Sequence, residues 1–357
     1  MFRRTDDLRI ENLRPLIAPA ILMEDLPITE AISTTVAQAR EQISAELWGR
    51  DDRLLVVVGP CSIHDTEAGL EYAGRLAEKR RELAEALNIV MRVYFEKPRT
   101  TVGWKGLVND PHLDGSFAIN QGLRAARRFL LDVAELELPA GTEFLDPITP
   151  QFYADLVAWG AIGARTAESQ VHRELASGLS MPVGFKNGTA GSVSIAVEGI
   201  VSAKHPHHFL SVTKQGVAAI VATRGNEDCH VILRGGRNGP NYSARHVAEV
   251  VESLERHGLA PRLMVDCSHA NSGKDYLKQV MVAEDVAEQI SGGSRGIFGV
   301  MLESFLVDGA QRHVEGTPRE ALVPGQSVTD ACLGWDRTVP VLERLAEAVL
   351  SRRAAHV

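Results

Sequence analysis

Met91-Arg-Val-Tyr-Phe-Glu-Lys-Pro-Arg-Thr-Thr101 decides how the rest of the chain is read. It begins as a strand, because Val90, Val93, Tyr94 and Phe95 are β-branched or aromatic. It stops in a charged turn at Pro98, which has no N–H to continue a ladder. Arg92, Lys97 and Arg99 set three cations within eight residues, with Glu96 among them. Cations at the end of a buried strand are costly unless something anionic meets them. Solvated charges are the plain reading and a pocket for a dianion is the sharper one. Recurrence of the pattern elsewhere in the chain separates them.

The pattern recurs in both directions. Leu54–Val58 is a nearly unbroken apolar run that ends in Gly59-Pro60-Cys61-Ser62, and Asp65 is placed to cap a helix over about 65–87. Ile89–Phe95 is the second strand. A long loop rich in Gly, Asp and Pro follows (103–115), then a helix over about 117–135. Glu143-Phe-Leu closes a third strand, Ala161–Ala164 is a fourth ending at Arg165, and Pro182–Lys186 is a fifth before a helix at about 192–203. His230–Arg234, Leu263–Asp266 and Ile297–Leu302 complete the set. Strands alternating with helices over this length predict an α/β (β/α)8 barrel of the TIM type. A doubly wound open sheet is the alternative, but no G-x-G-x-x-G follows an early strand to support it.

Two segments do not belong to a bare barrel. Phe209–Val212 and Val217–Val221 are joined by Thr213–Gly216, too short for a parallel crossover. They predict a β-hairpin inserted at about 205–225. Residues 1–30 are polar and spaced by Pro15, Pro19 and Pro27, so they read as an arm; 28–48 reads as a helix with Ala31, Ile32, Val36, Ala39, Ile43 and Leu47 on one side. The expected organisation is therefore an N-terminal arm and helix (1–50) of inter-subunit or regulatory use, then a catalytic barrel (51–357) carrying the hairpin.

Composition limits the partners. The 357 residues are 45% hydrophobic, and the net charge of -8 argues against bulk attraction to nucleic acid. No apolar run of 18 residues is present, so no membrane span is expected. Four scattered cysteines (Cys61, Cys229, Cys267, Cys332) and a polar N-terminus predict free thiols in a reducing, cytoplasmic compartment.

The strand ends in order are Cys61, Arg92 with Lys97, Glu143, Arg165, Lys186, Arg234, His269 and Glu303. In a barrel these ends converge on one mouth. Five cations from four of these ends in one pocket require a strongly anionic occupant, such as phosphate plus carboxylate. Cys61, His269 and Glu303, with Asp330 downstream, are donor types that a borderline divalent ion takes: Mn, Fe, Co or Zn. The ordinary alternative for Cys61 is a small buried hydrophobe.

These residues lie in motifs that resemble a known family, the type I 3-deoxy-D-arabino-heptulosonate-7-phosphate (DAHP) synthases of the feedback-inhibited bacterial and fungal branch. The motifs are Val58-Gly-Pro-Cys-Ser-Ile-His-Asp65, Met91 through Lys105, Ala161-Ile-Gly-Ala-Arg-Thr166, Glu168-Ser-Gln170, Pro182-Val-Gly-Phe-Lys-Asn-Gly-Thr189, His230 through Gly236, Asp266 through Asn271 and Met301 through Phe305. They extend over nearly the whole chain. Two departures, Thr166-Ala-Glu-Ser169 and Gly188-Thr-Ala-Gly191, touch no ligand position.

The resemblance implies condensation of phosphoenolpyruvate with erythrose 4-phosphate. It implies that Arg92, Lys97, Arg165, Lys186 and Arg234 hold phosphoenolpyruvate, with Glu143 nearby and the Ala164 amide assisting. Lys97, Arg99 and Thr100 would take the second substrate, Lys97 would protonate the developing alkoxide, and Cys61, His269, Glu303 and Asp330 would ligate one divalent metal ion. It further implies a homo-oligomer, dimer or tetramer, with an aromatic amino acid site formed by Pro150, Gln151, Leu175, Leu179, Ser180, Phe209, Ser211 and Val221, and by Asp6 and Asp7 reaching over from another subunit. Pro147 resembles tyrosine-sensitive members; Ser211 and the Asp6-Asp7 arm resemble phenylalanine-sensitive ones, and phenylalanine is favoured.

Two other functions fit parts of the pattern. A catalytically dead amino acid sensor predicts damaged ligands at the mouth, and none is damaged. A related eight-carbon sugar-acid synthase fits poorly with Lys97-Pro-Arg-Thr100 and the added segments. Lys186→Ala is expected to weaken phosphoenolpyruvate binding and leave the fold intact.

Overall fold

A computed structural model describes residues 3–99, 101–314 and 321–355. Eight parallel strands close into a barrel: β1 (Leu54–Gly59), β2 (Leu87–Arg92), β3 (Ala140–Glu143), β4 (Val157–Ile162), β5 (Val183–Lys186), β8 (Cys229–Leu233), β9 (Leu263–Asp266) and β10 (Ile297–Glu303), which returns to β1. β1 pairs on both edges, Val57 facing Val90 on one side and Met301 on the other. Every residue of these strands is buried, as the continuous apolar runs require.

Period-2 alternation splits each strand between two cores. Leu55, Val57, Val90, Trp159, Ile232, Met264 and Phe298 fill the barrel interior. Leu54, Val56 and Val58 face outward, into the larger core under the helices. Those helices are α3 (Thr66–Glu82), α4 (Ile119–Glu135), α6 (Gln170–Gly178), α7 (Ser194–Ala203), α8 (Ala244–Arg256), α9 (Lys278–Ser291) and α10 (Trp335–Ala354), with the one-turn α5 (Pro150–Tyr153). Asp65 caps α3, accepting from the Glu67 and Ala68 amides. β2 leaves the ladder three residues earlier than the sequence predicts. Val93–Phe95 stay extended and buried, but Lys97 N–H turns to Lys105 O and starts the loop.

The N-terminal segment is less of an arm than its composition suggests. Pro19–Asp25 is a helix, α1, and Leu22 and Leu26 reach the main core. The prolines mark its first position and its exit rather than a loose chain. α2 (Glu30–Leu47) begins at Thr29, whose hydroxyl accepts from Ile32 N–H. Its Ile43 and Leu47 join the barrel-interior core. Arg40 donates to Val157 O at the start of β4, and Ser44 and Trp48 donate to Asp228 just before β8. α2 therefore closes the N-terminal end of the barrel and leaves the C-terminal mouth open for chemistry.

The inserted segment is an antiparallel hairpin, β6 (His208–Val212) and β7 (Ala218–Ala222), separate from the barrel sheet. Phe209 pairs with Val221, and Leu210 with Ile220. Phe209, Ser211 and Val221 are half-buried on one face, whereas Leu210 and Ile220 are exposed on the other. Among the described residues no helix is long and apolar enough to cross a membrane.

Candidate active site at the barrel mouth and a cavity on its flank

The strand ends do converge. Arg92, the last residue of β2, is fully buried; its Nη2 donates to Glu303 Oε1 at 2.9 Å, and its Nη1 donates to the carbonyls of Pro60 and Cys61. Lys97 Nζ lies 3.1 Å from both the Cys61 sulfur and its carbonyl. Lys186, at the end of β5, lies between two buried acids, 3.7 Å from Glu143 Oε2 and 3.4 Å from Asp266 Oδ2. Arg234 is half-buried in the field of Asp266, Glu143 and Glu303, with Arg165 as its like-charged neighbour. Glu143 fits because residue 163 is glycine: a Cβ there would collide with its carboxylate.

Tyr94 organises the floor. Its ring carries the Arg92 guanidinium 3.5 Å from the centroid, with Lys97 and Lys186 ammonium groups at 5.9 and 5.7 Å. Arg92 and Tyr94 are two residues apart on an extended chain and so point the same way. The sequence reading missed Tyr94, although that spacing could have found it. It also missed Asp266, the last residue of β9, because it passed over the strand end to His269. Buried atoms here still lack hydrogen-bond partners, among them Arg92 Nε and Tyr94 Oη. Such groups are ordinarily satisfied, so the mouth is built for a polar ligand.

The metal-type donors meet beside these cations. Cys61, Glu303 and Asp330 bring ligand atoms within 4.8 Å of one another. His269 Nε2 lies 3.9 Å from Glu303 Oε1. Its tautomer follows from the other nitrogen. Nδ1 is 2.8 Å from Asp266 Oδ2 and 2.7 Å from Ser268 Oγ, whose own hydrogen goes to Asp266 Oδ1 at 2.5 Å. Nδ1 is flanked by acceptors and carries the proton, which leaves the Nε2 lone pair free. A soft sulfur, an imidazole lone pair and two carboxylates thus fit a divalent ion.

His269 is held at φ +56°, a strained conformation for a non-glycine residue. Burial pushes the Cys61 thiol up, and Glu303 adds to it. Burial alone would raise Asp266 too, but His269 and Lys186 hold its carboxyl well below the ordinary range. For Lys97, desolvation lowers the ammonium, but Cys61, Glu303 and Asp330 together outweigh it, and the net direction is up.

Of three further predicted substrate residues, one is turned away from the mouth. Arg99 is exposed and donates to Trp104 O within its own loop. Ala164 sits half-buried next to Gly163. Thr100 lies outside the described residues.

Pro150, Gln151, Leu175, Leu179, Ser180, Phe209, Ser211 and Val221 line one cavity of about 540 Å³ between the hairpin, α2 and the α5 segment. Pro147 lines it too, with Arg40 and Lys214, which the sequence reading did not single out. Lys214, in the hairpin turn, donates to Gln151 O and so joins two walls. Asp6 and Asp7 are exposed and do not line it within one chain.

Residues 32–343 match the model of the DAHP synthetase I family. The Phe-sensitive phospho-2-dehydro-3-deoxyheptonate aldolase of Escherichia coli (strain K12) is 60% identical over 350 residues, covering 98% of this chain and 99% of that protein. The tyrosine-inhibited enzyme of Schizosaccharomyces pombe is 53% identical over 349 residues, covering 98% of this chain and 94% of that one. The solved phospho-2-dehydro-3-deoxyheptonate aldolase of Francisella tularensis SCHU S4 superimposes with a TM-score of 0.94 at 53% identity, over 96% of this chain and 99% of that one.

Proposed function

The chain belongs to the DAHP synthetase I family, and from that premise we propose how its mouth and its side cavity divide the work. It condenses phosphoenolpyruvate with D-erythrose 4-phosphate and water, giving 3-deoxy-D-arabino-heptulosonate 7-phosphate and phosphate. This is the first step of the shikimate route to aromatic amino acids, and an aromatic amino acid inhibits it. A cytoplasmic location suits that biosynthetic role.

Arg92, Lys186 and Arg234, with Arg165 and the Ala164 amide, hold the phosphate and carboxylate of phosphoenolpyruvate. Lys97, Arg99 and Thr100 take the phosphate of the aldose. With both anions neutralised, the two reacting carbons are held in line. The enol carbon attacks the aldehyde carbon, the new alkoxide takes a proton from Lys97, and water adds to the other enol carbon as phosphate leaves. The upward direction of the Lys97 ammonium keeps that proton in place until the alkoxide forms. A divalent ion at Cys61, His269, Glu303 and Asp330 supplies Lewis acidity there, and Mn, Fe, Co or Zn suits the donors.

The observation that carries this reading is the gathering of three cations about one tyrosine ring, next to a thiol and carboxylates within 4.8 Å of one another. Its test follows the loss of enol absorbance with both substrates present. Turnover with at least one of the four metals, abolished by chelation, is expected; no turnover with any of them would refute it.

Phenylalanine is the proposed occupant of the 540 Å³ cavity, its ring against Phe209, Leu175 and Val221. The identity to the Phe-sensitive relative supports it. Leu210 and Ile220, paired across the outer face of the hairpin, are 86% and 76% exposed, and Leu8 and Ile10 are exposed on the arm. The arm of one copy laid on the hairpin of another would cover both, and the Asp6 and Asp7 carboxylates of that arm are the groups we assign to the effector's ammonium. Calorimetry with phenylalanine, tyrosine and tryptophan in turn tests the effector, and light scattering separates dimer from tetramer.

A further inference from the structure

Asp266 is fully buried at the end of β9, where it faces Met301 of β10 in register. One carboxylate oxygen is occupied: Oδ1 accepts from Ser268 N–H at 2.9 Å and from Ser268 Oγ at 2.5 Å. The backbone is pinned as well, since Asp266 O accepts from Asn271 Nδ2. The other oxygen, Oδ2, lies 2.8 Å from His269 Nδ1 and 3.4 Å from Lys186 Nζ, and has no aligned hydrogen-bond donor of its own.

We propose that Asp266 is a positioning residue that ties the metal-binding imidazole of His269 to the substrate-binding ammonium of Lys186. The inference rests on the use of those two residues set out above. A buried carboxylate that only filled space would need one partner, whereas this oxygen is shared by one side chain from each half of the site. An imidazole engaged at Nε2 has a more acidic Nδ1–H, which draws harder on Oδ2. Oδ2 then offers less to Lys186, whose remaining acid, Glu143, is farther away at 3.7 Å. Lys186 is left freer for an incoming anion, so ion occupancy and phosphoenolpyruvate affinity are coupled through a single atom. By reciprocity the anion strengthens the ion site by the same factor.

The test is Asp266→Asn, which keeps the shape and removes the charge. Mn(II) affinity is read by competition with a chromophoric chelator. Phosphoenolpyruvate affinity is read by calorimetry with and without Mn(II), and Co(II) ligand-field bands report the imidazole's orientation. Expected are an about 10- to 100-fold loss of Mn(II) affinity, Mn(II)-free phosphoenolpyruvate binding no weaker than wild type because Lys186 is released, shifted Co(II) bands, and a Mn(II)-on-substrate factor that falls toward one. Wild-type values throughout, or an unchanged Mn(II)-on-substrate factor, would overturn the link. If circular dichroism shows that the Asn variant does not fold, Ser268→Ala, which frees Oδ1 and leaves the charge, must weaken Mn(II) binding and move the Mn(II)-on-substrate factor toward one, or the proposal fails. Wild-type protein that binds neither Mn(II) nor phosphoenolpyruvate would instead overturn the reading beneath it.

Discussion

Arg92 and Glu303 form an ion pair from the ends of β2 and β10, Nη2 to Oε1 at 2.9 Å, with side chains 0% and 3% exposed. Breaking such a pair on one side leaves the other charge buried, which costs more than the intact pair contributes. Arg92→Met should therefore destabilise the fold by about 3–5 kcal/mol, read from urea midpoints at constant slope. The double variant with Glu303→Leu should recover most of that stability while losing all activity. A single variant as stable as wild type would mean that the pair is solvated.

Lys186→Ala is expected from sequence to cost binding alone, and the structure changes that expectation. Lys186 is buried between Glu143 and Asp266, so its removal takes away the cation that lies between two buried carboxylates. The variant should lose phosphoenolpyruvate affinity and also about 3 kcal/mol or more of stability. Lys186→Ala with Glu143→Gln should regain part of the stability and none of the affinity. Calorimetry and thermal melts separate the two losses.

Glu96 joins the mouth to the side cavity. It is buried in the residue before Lys97; Oε2 accepts from Thr149 Oγ1 at 2.9 Å and from Tyr153 OH at 3.2 Å, and Oε1 accepts from Asp146 N–H at 3.2 Å. The segment that supplies these donors also supplies Pro147, Pro150 and Gln151 to the cavity wall. Glu96→Gln can replace one acceptor, but its amide N–H2 then faces the Asp146 N–H. If the effector acts through this contact, the concentration for half-inhibition should rise about 2- to 30-fold, the range of 0.5–2 kcal/mol of coupling. Uninhibited kcat should change much less. An unchanged inhibition curve would remove Glu96 from the route.

What the sequence disclosed follows from what chain-local physics encodes. Continuous β-branched runs with helices between them gave the closed barrel, and the side chain that ends each run gave most of the mouth. Tyr94 and Asp266 escaped because neither is unusual in isolation: an aromatic residue in a strand and an acid after one become functional only through what converges on them. The cavity on the flank could not be read from periodicity at all. Its walls come from α2, the α5 segment, α6 and both hairpin strands, and only the family resemblance brought those positions together. α1 was hidden by its prolines, which read as breaks in a polar arm while Leu22 and Leu26 anchor it in the core.

His230 gives the fold a pH dependence that the chemistry does not use. It lies inside the barrel on β8, where Nε2 accepts from Trp159 Nε1 at 3.2 Å and the ring meets Phe298 edge-on at 4.8 Å. Burial lowers its pKa to about 3, whereas an unfolded histidine titrates near about 6.5. Between those values the unfolded chain binds a proton that the folded chain refuses. Stability from this residue is therefore complete above about pH 6.5 and falls with acid by up to about 1.4 kcal/mol per pH unit. His230→Gln keeps an acceptor for Trp159 and removes the titration, so its urea midpoint should fall less steeply than wild type from pH 6.5 to 4.5. Parallel curves for the two proteins would show that the ring protonates in place, and that the barrel interior is wetter than its packing implies.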